Sequence, residues 1–403
     1  MADLFDEAVK RISEIVKFDS SQKPPVKDMP FGEATAECLE YFLNLAKSYG
    51  FETKNYDNYA GEVIFGEGEE FAVLAHLDVV PAGSGWTHDP FGGEVDYKNS
   101  KIWGRGTMDD KGPAVCALLA MKALKDNGFK PNKKIKLIVG CNEESGWACI
   151  DYYKAHATMP ETGFSPDADF PVIYAEKGIL QLKLEFTHDG KFTALKGGER
   201  PNMVCDYCEV VTDGEKVVFR GKSAHGSTPE LGKNAIEPML DFLELEDIRA
   251  LLFDDGFKLA KLKDGTGSLT FSPNIIEQCG DKIYVTCDIR YPASFKESDV
   301  LGKIEAKGVK YEILHSQLPL YNDPDCELIT TLCGVYNEVT GKQMKPVAIG
   351  GGTYARALKC GAAFGPEEDG EENTVHQANE YITFDKIKIC LKIYALALER
   401  LTA

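Results

Sequence analysis

The sequence predicts an α/β domain interrupted by an inserted α+β domain. Helix-like and strand-like segments alternate through the first part of the chain, the pattern of a sheet with covering helices. From Leu180 the texture changes to strict two-residue alternation, as in Gln181-Leu182-Lys183-Leu184-Glu185-Phe186, which suits a half-buried strand. After Leu318 the helical pattern returns. These shifts assign residues 1–179 and 318–403 to the α/β domain and residues 180–317 to the insertion. Insertions are tolerated where their two ends lie close together.

Taken in order, an amphipathic pattern predicts a helix over Asp3–Val16, and a second over Glu33–Ser48 stops before Gly50. Strands are expected at Glu62–Phe65 and Glu70–Ala75. Gly112-Pro113 opens a helix whose apolar residues run from Ala114 to Leu124, and Asn127-Gly128 ends it. Over Lys134–Gly140, Ile135, Leu137 and Val139 alternate with Lys136 and Ile138, as in a strand. A helix near Gly146–His156 and a strand at Val172–Ala175 follow. In the insertion, strands are expected at Glu209–Val211, Val217–Arg220, Ser268–Phe271 and Lys282–Asp288, with helices over Asn234–Leu245 and Phe295–Ala306. Pro201-Asn202 and Pro273-Asn274 each precede a strand, either as unrelated turns or as the echo of a duplicated half. Helices at Glu327–Val339 and Phe384–Leu401 close the chain, with a Gly350-Gly351-Gly352 turn between them.

A net charge of −19 argues against a nucleic-acid or anionic-membrane partner. No apolar run reaches the ~18 residues of a membrane span. The acidic stretch Met1–Asp6 lacks the basic and apolar regions of a signal peptide, so a cytoplasmic location is expected. Most of the twelve cysteines sit in apolar runs, as at Cys116, Cys287 and Cys390, where free thiols of a reducing compartment belong. Cys205 and Cys208 have C-x-x-C spacing. With no second pair nearby and no strand–helix context, no zinc or redox role is expected of them.

The chemistry concentrates at strand ends. An apolar run from Phe71 to Leu74 leads into His76-Leu77-Asp78, whose His and Asp lie on one side of an extended chain. Asp109-Asp110, Glu143-Glu144, Asp167 and Asp169 follow comparable segments. That many acids at one sheet edge repel strongly in a low dielectric unless divalent cations neutralise them. Imidazole and carboxylate donors suit Zn²⁺, Mn²⁺ or Co²⁺ rather than Ca²⁺. Adjacent glutamates point in different directions, so one of Glu143 and Glu144 can hold a metal while the other serves as a base in metal-assisted hydrolysis.

Several stretches then resemble one family of co-catalytic zinc peptidases. They are Ala75–Pro81, Gly85-Trp86-Thr87, Trp103–Gly112, Asn142–Gly146, Ser165–Pro171, Ala224–Pro229, Asp288-Ile289-Arg290, Gly350–Arg356 and His376–Glu380. The family includes aminoacylases, carboxypeptidase G and succinyl-diaminopimelate desuccinylase, and the chain looks closest to bacterial PepV-type dipeptidases. The resemblance spans nearly the whole chain in order. It implies a zinc-exopeptidase-like mixed sheet with helices on both faces, and an inserted lid.

The same resemblance implies two metals, zinc ahead of manganese or cobalt. His76 and Asp167 would hold one, Glu144 and His376 the other, with Asp109 bridging. Asp78 would orient His76, and Glu143 would be the base that moves a water proton to the leaving amine. A cis peptide often follows the bridging aspartate in this family, which would put one at Asp109–Asp110. In the lid, His225 would stabilise the oxyanion. Asn202 and Arg290 would hold the substrate carboxylate or carbonyl, and Gly350, Gly351, Gly352 and Thr353 would offer main-chain N–H groups; lid closure would complete the site. The implied activity is hydrolysis of short unblocked dipeptides, with N-acyl amino acid amidohydrolysis as the alternative on the same metals. The insertion is shorter than the enlarged PepV-type lid, so both a monomer and a homodimer fit.

Overall fold

A computed structural model describes residues 2–188 and 192–403, so Met1 of the acidic N-terminal stretch lies outside them. The chain divides into two compact units. The first comprises Met1–Tyr174, Asn322–Val347 and Thr353–Ala403; the second comprises Ala175–Tyr321 and Ala348–Gly352.

The first unit is built on a mixed sheet. Its strands run in the order Glu52–Tyr56, Ala60–Phe65, Lys133–Gly140, Glu69–His76, Thr162–Ser165 and Cys360–Ala363, with Ile173 paired beyond them to Ala363. The first two pairings are antiparallel; the next three are parallel. Central parallel strands are covered on both faces and read as continuous apolar runs. Glu69–His76 accordingly is buried from Phe71 through His76. Strand alternation shows the two covered faces directly. Gly61 packs against Leu39 and Leu43 of the helix Glu33–Ser48, while its neighbour Glu62 accepts a hydrogen bond from Tyr153 of the helix Ala148–His156 on the opposite face. The helices Ala2–Ile15, Lys111–Asp126, Glu327–Thr340 and Phe384–Thr402 pack on one another and complete one hydrophobic core with the sheet.

The second unit is an antiparallel seven-stranded sheet, ordered Glu215–Arg220, Tyr207–Thr212, Ala194–Gly197, Thr270–Cys279, Lys282–Tyr291, Gly178–Thr187 and Lys310–Gln317. Leu180, Leu182, Leu184 and Phe186 share a buried face and one core with the helices Ile236–Phe242, Glu246–Phe253 and Glu297–Glu305. The sulfurs of Cys205 and Cys208 lie 3.3 Å apart within this unit, and all twelve cysteines are free thiols.

Two local differences from the sequence expectation have physical reasons. Ser272-Pro273-Asn274 does not end before a strand; it lies inside Thr270–Cys279. The register shifts between Pro273 and Ile275, and this bulge accommodates the missing proline N–H. The Asn274 side chain left over by the bulge is buried and donates to the Pro201 carbonyl at 2.6 Å. The strands Glu52–Tyr56 and Lys310–Gln317 carry no alternation because both are edge strands with largely exposed side chains.

Candidate metal centre

Every donor of the first unit except His376 sits close to where a regular element starts or stops. His76 ends the strand Glu69–His76 and pairs with Gly140, the last residue of the neighbouring strand. That position admits only glycine, since a Cβ there would lie 1.9 Å from the Tyr354 hydroxyl oxygen. Beyond Gly140 the chain turns and carries Glu143 and Glu144. Asp167 follows the strand Thr162–Ser165, and Asp109 immediately precedes Asp110, the cap of the helix Lys111–Asp126. The Asp109–Asp110 peptide is cis. His376 lies in a loop at a φ of 62°.

These positions bring the donors together around one carboxylate. His76 Nε2 lies 2.9 Å from Asp109 Oδ1, and His376 Nε2 lies 2.8 Å from Asp109 Oδ2. The two imidazoles thus flank opposite oxygens of a single aspartate. Asp167 Oδ2 is 3.6 Å from His76 Nε2, and Glu144 Oε1 is 2.9 Å from His376 Nε2. Donor atoms of His76, Asp109 and Glu144 fall within 4.8 Å of one another, as do those of His76, Glu143 and Asp167.

Asp78 acts on more than the imidazole. His76 Nδ1 lies 2.9 Å from the Asp78 main-chain oxygen and 3.5 Å from its carboxylate. The two carboxylate oxygens accept the main-chain N–H groups of Glu143 and Glu144 at 3.0 and 3.1 Å. One buried aspartate therefore fixes the direction of His76 and of both glutamates. His76 N–H donates to Asp110 Oδ2 at 3.0 Å, tying the strand end to the residue beside Asp109.

The electrostatics follow from this crowding. Burial, reinforced by the neighbouring Asp109 charge, raises Glu144 and Asp167 above the usual carboxylate range. Burial, with Glu144, Asp78 and Asp109 nearby, pushes Glu143 up to about 7. Burial opposes charge on His376, but the hydrogen-bonded Asp109 and Glu144 carboxylates outweigh it and push the imidazole up to about 11. A negative field strong enough to hold protons on imidazoles also attracts divalent cations, which compete with those protons for the same nitrogens. Two imidazoles and several carboxylates with no thiolate fit zinc, manganese or cobalt chemistry.

The second unit gathers its own polar group. The His225 Nδ1 lies 2.7 Å from the Ser227 hydroxyl and accepts the Ser227 main-chain N–H at 3.2 Å. That bond leaves the proton on Nε2, a tautomer assigned from the hydrogen bonding. Burial and the Arg290 charge both lower the His225 pKa, which keeps the ring neutral. Arg290 is clasped by Asp288, at 2.5 and 3.0 Å to its two oxygens, and its third nitrogen lies 3.5 Å from the Gly350 carbonyl. Asn202 stands beside His225, its carbonyl accepting the Gly226 N–H at 2.7 Å. Gly350 abuts Ser227, and the Gly350–Gly352 segment belongs to this same unit. Thr353 belongs to the first unit, where its hydroxyl caps the turn Tyr354–Ala357.

Four residues that the sequence reading gave no role meet this centre. Trp147 Nε1 donates to Glu143 Oε1 at 3.0 Å. The Tyr354 ring stands edge-on to both His76 and Trp147. Arg105 and Glu380 form a buried pair behind Asp109. Arg105 and Glu380 lie within stretches that carried the resemblance, so they were visible as letters. Trp147 was not, because its reach depends on its left-handed φ of 66°.

A mixed α/β sheet with imidazoles and carboxylates converging from its strand ends defines a metal-dependent hydrolase. Residues 72–400 match the model of "Peptidase family M20/M25/M40". The chain is 33% identical to the Beta-Ala-Xaa dipeptidase of Lactobacillus delbrueckii subsp. lactis over a 455-residue alignment covering 98% of this chain and 96% of the relative. It is 35% identical to YtjP of Bacillus subtilis (strain 168) over 429 aligned residues, 92% of each chain. In fold it is similar to aminoacylhistidine dipeptidase from Vibrio alginolyticus, with a TM-score of 0.63, 14% identity, and coverage of 97% of this chain and 95% of that one. This chain belongs to peptidase family M20/M25/M40 and is a metal-dependent peptidase.

Proposed function

We propose that this peptidase hydrolyses short unblocked dipeptides in the cytoplasm, as a monomer or homodimer, with two divalent ions of which zinc is preferred. His76 and Asp167 would hold one ion and Glu144 and His376 the other, with Asp109 shared. The observation that carries the reading is the Asp109 carboxylate flanked by His76 at 2.9 Å and His376 at 2.8 Å on different oxygens. When bound, such ions polarise the scissile carbonyl and make water easier to deprotonate.

The chain's own residues do the rest. Glu143 takes the proton from the attacking water and delivers it to the departing amine. Burial raises its pKa above the usual carboxylate range, which favours its taking up a proton. Asp78 accepts the main-chain N–H groups of both Glu143 and Glu144 and so fixes the turn from which the two carboxylates project. His225, neutral and protonated on Nε2, is assigned the oxyanion, where a fixed donor acts on charge that develops in the transition state. Arg290, fixed in place by Asp288, is assigned the substrate carboxylate together with Asn202 and the N–H groups of Gly351, Gly352 and Thr353.

The free amine end is supported by the acidic surroundings of the first unit's centre. Asp169 and Glu367 pair across adjacent short strands and, with Met108, line a cavity of about 190 Å³ whose further acids Glu368 and Glu371 are already paired with Lys342 and Lys386. An ammonium group suits that lining better than an acyl cap does. The Lactobacillus relative is named for dipeptides with β-alanine at that end. Free thiols at all twelve cysteines support a reducing compartment; among the described residues no helix is long and apolar enough to cross a membrane.

The test is a panel of Xaa-Xaa dipeptides and N-acetyl amino acids, run on stripped protein reloaded with zinc, manganese or cobalt. Dipeptides are expected to turn over faster and zinc to restore the most activity. Faster turnover of the acylated compounds would replace this reading with amidohydrolysis. Glu143→Ala should keep its metal content and lose about 10²–10⁴-fold in kcat; retained turnover would remove Glu143 from the base role.

A further inference from the structure

Glu380 follows His376 by four residues and is fully buried. Its Oε1 accepts three main-chain N–H groups, those of Gly106 at 3.0 Å, Met108 at 2.9 Å and Asp109 at 3.4 Å. Its Oε2 accepts from Arg105 Nη1 at 2.5 Å, and its own carbonyl accepts the Gly104 N–H at 2.9 Å. Arg105 is itself buried, with its guanidinium over the Trp86 ring at 5.3 Å.

The local backbone explains why such a clamp is needed. The strand Tyr381–Thr383 pairs with Lys101–Trp103, and that ladder stops at Tyr381–Trp103. Beyond it, the loop to Asp109 has Gly104 at a φ of 150° and Gly106 at 92°; the N–H groups of Gly104, Arg105 and Thr107 reach the carbonyls of Glu380, Pro90 and Gly104, and those of Gly106, Met108 and Asp109 turn to the Glu380 side chain. Glu380 carries the pairing onward by a side chain. One carboxylate thus joins the loop that bears Asp109 to the loop that bears His376. A buried ion pair serving stability alone needs only Arg105. Three N–H groups converging on the other oxygen specify the path of the loop.

We infer that Glu380 is a positioning residue that sets Asp109 against His376 and thereby governs the metal position formed by Asp109, Glu144 and His376. The inference rests on the two-metal reading above. The His76–Asp167 position depends on it less. His76 ends one strand of the sheet and Asp167 follows another, and Asp109 stays tethered there through the bond from His76 N–H to Asp110.

Two double variants isolate the acceptor from the charge. Glu380→Gln with Arg105→Met keeps Oε1 and removes the ion pair. Glu380→Met with Arg105→Met has nearly the same volume and lacks the acceptor. Stripped proteins are titrated with Co²⁺, following the visible absorption of the bound ion and competition with a chelator. Wild type is expected to take two equivalents. The Met/Met variant should bind the second equivalent about 10–100-fold more weakly than the Gln/Met variant, the range found when an outer partner of a ligand is lost. The first equivalent should differ by less than about 3-fold, and the cobalt spectrum of the Gln/Met variant should match wild type. Equal second affinities in the two variants overturn the inference. A wild type that takes only one equivalent overturns the two-metal reading instead. If the Met/Met variant does not fold, Glu380→Asp takes its place. It draws the carboxylate back by one methylene, with the same loss expected, and unchanged second affinity there also overturns the inference.

Discussion

The two imidazoles of the candidate metal centre are held in opposite ways. His76 ends a central strand, its side chain is fully buried, and the sheet fixes it through pairing to Gly140. His376 sits in a loop with about half its side chain exposed, at 49%, in a left-handed conformation. One half of the centre inherits its geometry from the sheet; the other must be tied in place. The ties are specific side chains: Asp78 on the Glu143–Glu144 turn, Trp147 on Glu143, and Glu380 between the His376 and Asp109 loops. Precision in such a site comes from locked supports as much as from the ligands themselves.

The largest difference should appear when each imidazole is removed. His76→Ala and His376→Ala should each weaken metal binding by more than about 100-fold, beyond the loss caused by outer partners. Their stabilities should part company. His76→Ala empties a packed strand end and should lower the unfolding free energy of stripped protein by about 2–5 kcal/mol. His376→Ala removes a half-exposed group whose ion pairs are partly screened, and about 1 kcal/mol or less is expected. Urea denaturation of the stripped variants measures both. Equal losses would mean that the loop half is as deeply built into the fold as the strand half.

Sequence legibility follows the same division. The strand half could be read directly, because the run Phe71–Ala75 is continuously apolar and a polar residue ending such a run stands out. His376 could not be read that way. It lies in a polar, glycine-bearing acidic stretch, and only the family resemblance pointed to it. The long helices, at Glu33–Ser48 and Phe384–Thr402 for example, were legible because their buried stripes are periodic. The edge strand Lys310–Gln317 was not, since exposed faces leave no pattern to find. The supports were least legible of all. The carboxylate of Asp78 serves main-chain N–H groups 65 and 66 residues away, and main-chain donors have no letter in the sequence. The bulge at Pro273 hid a strand for a related reason, because proline normally interrupts one and only the partner strand shows how it is absorbed.

A smaller effect is expected at Asp78, where the two halves meet. Asp78→Asn keeps the size and the main-chain oxygen that faces His76 Nδ1. It replaces one acceptor of the Glu143 and Glu144 N–H groups with a donor. The turn bearing Glu144 should loosen while His76 stays in register with Gly140. Metal affinity should fall about 10–100-fold, and the equivalent held with Glu144 should account for the loss. Chelator competition resolves the two equivalents. A loss confined to the other equivalent would show that Asp78 works mainly through the imidazole.

The smallest effect tests whether Glu143 is a base or a ligand. Glu143 lies as near to His76 and Asp167 as a ligand would, so distance alone does not exclude it from the metals. The bond from Trp147 Nε1 to Glu143 Oε1 gives one of its oxygens a partner outside the donor cluster, which offers a way to test the two roles. Trp147→Phe keeps an aromatic ring against Tyr354 and removes the N–H. A hydrogen bond to a charged group is worth ~1.5 kcal/mol or more, so kcat should fall about 10-fold. The N–H favours the ionised carboxylate, and its loss should raise the Glu143 pKa and move the acid limb of the kcat profile to higher pH. Metal stoichiometry and KM should stay as in wild type. Were Glu143 a third ligand of the His76–Asp167 position, Trp147→Phe would instead change metal affinity and leave the acid limb in place.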